Sequence, residues 1–156
     1  MKMMAIVVAA VAIGGCDRTT NTSGTLIALA PTPPIAAQIS PQTLPLFVAT
    51  TPCASGAAFT TGFDLVIAQT GSVDVFIDQV VFRLIDGTVL GGPSVTMSQP
   101  QLNAMFGSTV VAGRRAFPFE PQFACGLTRP WSIASRVVLK DAHGMARTVS
   151  VDAPFR

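Results

Sequence analysis

Val73-Asp74-Val75-Phe76-Ile77-Asp78-Gln79-Val80-Val81-Phe82-Arg83-Leu84-Ile85-Asp86 is the stretch on which the fold turns. Val75 and Ile77 share one parity, while Val80, Phe82 and Leu84 share the other. Two-residue alternation in a run of β-branched and aromatic side chains predicts a half-buried β-strand. The parity switch between Ile77 and Val80 predicts a β-bulge or bend at Asp78-Gln79, where one extra residue must be absorbed.

The same pattern continues on both sides. Leu46 to Thr50 reads as a first strand, and Phe63, Leu65 and Ile67 alternate with Gly62, Asp64 and Val66 in the segment 59–68. Gln69-Thr70-Gly71-Ser72 is then a turn. Downstream, Asp86-Gly87 and Gly91-Gly92-Pro93 bracket a short edge strand or loop before Val95-Thr96-Met97. Ser98 to Gly107 reads as the one helical turn or two: Ser98 and Gln101 have capping-box spacing, Pro100 suits a first turn, and Gly107 suits the left-handed C-terminal position. A crossover between two sheets is the expected place for it. Strands resume at 109–111 and at Arg114 to Phe119, and Glu120 to Gly126 reads as irregular. In Trp131 to Lys140, Ile133, Val137 and Leu139 point inward, and Arg136, Val138 and Lys140 outward. Asp141-Ala142-His143-Gly144 is a hairpin connection into Arg147 to Asp152. Short strands separated by turn signals predict a small all-β sandwich.

The first sixteen residues are of another kind. Lys2 precedes the apolar run Met3 to Ile13, which ends in Gly14-Gly15-Cys16 and the charged pair Asp17-Arg18. A basic start, a short apolar centre and small residues at the end form a secretory leader. A spanning helix needs about 20 apolar residues, and this run is shorter. Ile13-Gly14-Gly15-Cys16 resembles the lipobox of bacterial lipoproteins, with Ile where that family prefers Leu. The resemblance implies that Cys16 receives a diacylglyceryl group and becomes the first residue of the mature chain. Two or more acyl chains make a durable anchor where one is marginal. The expected localisation is therefore the cell envelope, lipid-anchored on a bacterial membrane at the periplasmic or extracytoplasmic face. Asp17 resembles the inner-membrane retention signal of enterobacterial lipoproteins, a rule that depends on the organism.

The expected organisation is a signal peptide over 1–15, a disordered Pro/Thr/Ser-rich tether over 16–43 and the sandwich over 44–156. Prolines at 31, 33, 34 and 41 and the polar run Arg18 to Thr25 mark the tether, and Leu26 to Ala30 is an apolar patch within it. Lipidation of Cys16 leaves Cys53 and Cys125 as an even pair in an oxidising setting, where a disulfide is expected. Two buried free thiols are the competing reading. No second Cys or His stands at ligand spacing beside either one, so no metal is expected there.

Val137 to Gly144 running into Ala146 to Val151 resembles the last hairpin of bacterial immunoglobulin-like domains. The resemblance implies an immunoglobulin-like sandwich of about seven antiparallel strands. Cys53 precedes its strand and Trp131 follows Cys125, unlike the antibody pattern. The bridge is accordingly expected to tie two loops at one end of the sandwich.

Charge and motif content argue for a non-catalytic protein. The chain has 10 Lys+Arg against 8 Asp+Glu, and removal of Lys2 with the leader leaves 9 against 8, a balance that implies no nucleic-acid partner. Its single histidine, His143, falls on a hairpin tip without a nucleophile motif beside it. Asp64, Asp74, Asp78 and Asp86 lack calcium-loop spacing, and Glu120 is the sole glutamate. No catalytic residue, cofactor site or metal site is assigned. Recognition remains: Arg114, Arg115, Arg129 and Trp131 are candidates for one Arg-aromatic binding surface, since Arg and Trp are favoured at hot spots. The expected function is a membrane-anchored interaction, adhesion or assembly module, with another envelope protein as partner. The alternative is an envelope protein that binds a small ligand or metal through loops at one end of the sandwich.

Overall fold

The computed structural model describes residues 35–87, 92–126 and 128–156. In chain order the elements are β1 (Ile35–Ser40), β2 (Phe47–Val48), β3 (Ala57–Thr60), β4 (Phe63–Gln69), β5 (Val75–Ile85), β6 (Ser94–Ser98), α1 (Gln99–Phe106), β7 (Val110–Val111), β8 (Arg114–Phe119), β9 (Gln122–Gly126), β10 (Ser132–Asp141) and β11 (Ala146–Pro154). The described residues form an all-β sandwich with one short helix, as the alternation predicts. One sheet has the order β1-β4-β8 and the other β11-β10-β5-β6, with β7 also on β5. A small third sheet, β2-β3-β9, joins segments that lie between the main strands. All named strand pairs are antiparallel. Leu44 adds an isolated parallel bridge to Phe155.

The inward parities of the two main sheets meet in one core. Leu65 and Ile67 of β4, Phe117 and Phe119 of β8, Ile77, Val80, Phe82 and Leu84 of β5, and Ile133, Val137 and Leu139 of β10 are all buried. Burial of each such side chain contributes roughly 1.5–3 kcal/mol. Phe82 joins the sheets, its ring 5.1 Å from that of Phe63 and 4.8 Å from that of Phe119 in edge-on contacts. Such aromatic geometry adds about 0.5–1.5 kcal/mol per pair beyond area.

The bulge falls where the parity switch places it. Gln79 stands opposite Val138 and Ile77 opposite Leu139, so Asp78 has no counterpart on β10. This lets Val75 and Ile77, on one side, and Val80, Phe82 and Leu84, on the other, all face the core. The helix lies in the crossover from β6 to β8, between the two main sheets. Its start is held by the Gln101 side chain, whose Oε1 accepts from the Ser98 N–H at 2.8 Å and the Ser98 hydroxyl at 2.9 Å. It stops at Gly107, whose φ of 71° is open to glycine at little cost.

Three sequence expectations need correction. The tether does not extend to residue 43, because Ile35–Ser40 is an edge strand paired along its length with β4. Ile35, Ala37 and Ile39 pack on the core, an alternation masked in the sequence by the flanking prolines. Leu46 to Thr50 shrinks to the two-residue β2. Glu120 to Gly126 is not irregular, since Gln122 to Gly126 forms β9 beside β3. The leader, Cys16 and residues 17–34 of the expected tether lie outside the described residues.

Candidate functional site

Arg114, Arg115, Arg129 and Trp131 do not form one surface. The Arg115 guanidinium donates to the Val110 carbonyl at 2.9 Å, and Val110 stands opposite Phe76 at the beginning of β5. The Trp131 backbone N–H donates to the Ile85 carbonyl at 2.7 Å, at the far end of the same strand. Nine residues of strand separate Phe76 from Ile85, about 30 Å at the usual rise. Arg114 precedes Arg115 on β8, and Arg129 donates to the Arg156 carbonyl at 3.2 Å near Trp131. The four residues thus divide into two pairs at opposite ends of the sandwich. Arg115 is a structural staple: its guanidinium also lies 4.7 Å above the Phe117 ring. Trp131 is 65% exposed, and its indole covers Gly87.

Cys53 and Cys125 are joined in a disulfide, with Cα atoms 5.8 Å apart. It ties the β2–β3 loop to β9 rather than two loops, and so clamps the small third sheet. His143 sits in the β10–β11 connection, where the Asp141 carboxylate accepts its backbone N–H at 2.8 Å and that of Met145 at 2.9 Å. These donors, Met145 first, hold the Asp141 carboxyl below its ordinary value, and the neighbouring His143 and Arg147 act in the same direction. Among the described residues, no three His, Cys, Asp or Glu side chains gather in a way that could hold a metal ion. No helix among them is long and apolar enough to cross a membrane.

One broad concavity lies on the outward face of the five-stranded sheet. Its volume is about 480 Å³, and Val81, Arg83, Ile85, Ala134, Arg136 and Asp152 contribute to its lining. The register explains its shape. Ala134 stands between Arg83 on β5 and Asp152 on β11, and Arg136, two residues on, stands between Val81 and Ser150. The short alanine leaves a hollow among longer neighbours. Arg136 was legible as an outward residue, but Arg83 and Asp152 were not singled out. The available signal was the second parity of β5, on which Val81, Arg83 and Ile85 alternate with the buried set.

No family model matches the chain, and no curated protein matches it either. Solved structures do resemble it in shape. A crystal structure provisionally assigned as the ApaA protein of Bordetella pertussis superposes with a TM-score of 0.50 at 12% identity, covering 79% of this chain and 94% of that one. An X-ray structure of a Northeast Structural Genomics Consortium target reaches a TM-score of 0.49 at 7% identity, covering 76% of this chain and 85% of that one. At such identities the first likeness speaks to fold alone.

Proposed function

We propose that the chain is a bacterial envelope lipoprotein, anchored through Cys16, whose immunoglobulin-like sandwich serves as a non-catalytic interaction module. The observation that carries this reading is Ile13-Gly14-Gly15-Cys16 at the end of a basic and apolar leader. Cys16 precedes the first described strand, at Ile35, by nineteen residues, chain enough to hold a domain clear of a bilayer surface. The immunoglobulin-like assignment draws support from the main strands: a three-stranded sheet β1-β4-β8 faces β11-β10-β5-β6, with chain crossing between sheets at β4–β5, β6–β8 and β8–β10. The module role draws support from a surface with broad, open concavities and outward apolar side chains on central strands.

Fractionation of cells tests the anchor. The wild-type chain is expected in the membrane fraction and in the detergent phase of a temperature-induced phase separation. Cys16→Ser is expected to move it to the aqueous phase. Membrane retention of C16S would contradict the proposed attachment.

A further inference from the structure

We propose that the hollow over Ala134 is a docking site for an acidic peptide segment, flanked by apolar residues, of a partner protein; this rests on the interaction-module reading and names the chemistry of the partner. The outward faces of antiparallel sheets are ordinarily polar. Here the two central strands place Val81, Ile85 and Ala134 outward at the floor of one concavity. Arg83 and Arg136 occupy diagonal positions on the paired strands β5 and β10, a spacing of about 7–8 Å that long side chains span. Neither guanidinium makes a hydrogen bond or ion pair with another described residue, and the same is true of the Asp152 carboxylate. Both guanidiniums are therefore available to converge on one carboxylate above the hollow, and the planar fork of Arg suits that anion. Two cations against one carboxylate give the site a positive balance.

Charge also argues against a second copy of this chain as occupant. The two-fold arrangement that pairs Arg83 of each copy with Asp152 of the other has its axis along β10. It stacks the two Arg136 side chains against each other. An acidic segment meets no such repulsion, and its apolar neighbours have Val81 and Ile85 to cover.

The test uses the full chain purified in detergent and a fluorescein-labelled heptapeptide of alternating Leu and Glu, followed by fluorescence anisotropy. The acidic probe is expected to bind, and more weakly as salt rises. Arg83→Ala and Arg136→Ala should each weaken binding at least tenfold, while Asp152→Asn should tighten it severalfold. Arg114→Ala, at the other end of the sandwich, should leave it unchanged. All four side chains are exposed, and equal thermal unfolding midpoints would confirm that the variants fold alike. Absence of binding at millimolar probe overturns the proposal, as does equal binding of the probe with Gln in place of Glu. A dimer in sedimentation that is lost on Arg136→Ala would assign the face to a second copy and overturn it too. Membrane attachment of Cys16 is read separately, so failure of the groove and failure of the anchor are distinguishable.

Discussion

The Asp78 carboxylate accepts a 2.9 Å hydrogen bond from the Lys140 ammonium, and Asp78 is the residue of β5 left without a counterpart on β10. The ion pair therefore sits on the bulge that reconciles the two parities of the longest strand. Its two side chains are 37% and 29% exposed, so its own contribution is small. Asp78→Asn is expected to cost no more than about 1 kcal/mol in urea unfolding. Deleting Asp78 should cost far more, because a straight register turns Val75 and Ile77 outward. Exposing two such side chains is worth on the order of 3–6 kcal/mol. Equal stabilities for the two variants would show that the bulge does not set the register.

The Cys53–Cys125 bridge closes a sequence separation of 72 residues. Replacing both cysteines by Ser should lower stability by about 2–4 kcal/mol, mainly by freeing the unfolded chain. Urea midpoints of the wild type with and without reductant should differ in the same direction. Coincident midpoints would contradict the bridge.

Trp131 is the single tryptophan of the chain, and its ring lies where a side chain on Gly87 would have to go. Gly87 also has a φ of 81°, a conformation that costs other residues about 1–2 kcal/mol. Gly87→Ala should therefore destabilise the domain by roughly that amount and lift the indole off its platform. Acrylamide quenching of the fluorescence should rise. Unchanged quenching would place the ring elsewhere.

Asp141 gives the β10–β11 hairpin a pH dependence. The carboxylate accepts the backbone N–H groups of Met145 and His143, and its pKa is lowered in the fold. A group whose folded pKa is depressed stabilises above its unfolded value and loses that contribution as pH falls through the folded one. Amide exchange at Met145 should quicken as pH drops below about 4, after correction for intrinsic rates. Asp141→Asn should abolish the dependence. A dependence that survives in D141N would assign it to another group.

Much of the sandwich is legible in the sequence because its strongest signals are local. The alternation and parity switch of β5, the Ser98/Gln101/Gly107 spacing of α1 and the Asp141 to Gly144 connection each depend on a few adjacent residues. The rest needed partners distant in sequence. Ile35, Ala37 and Ile39 alternate, yet Pro34 and Pro41 disguise the run, and only pairing with β4 makes it a strand. In the same way Gln122 to Gly126 becomes β9 through β3, more than sixty residues earlier in the chain. Composition alone grouped Arg114, Arg115, Arg129 and Trp131, which the register separates along the length of β5. Arg83, Arg136 and Asp152 belong to three strands, and their proximity follows from strand order rather than from any motif.

Mass spectrometry of the protein extracted from its native membrane tests the central claim most directly. The account predicts a mature chain of residues 16–156, with an added mass equal to a diacylglyceryl group on Cys16 and a loss of two hydrogen atoms for the Cys53–Cys125 bridge. A chain that retains residues 1–15, or one that begins at or beyond Cys16 without lipid, would contradict it.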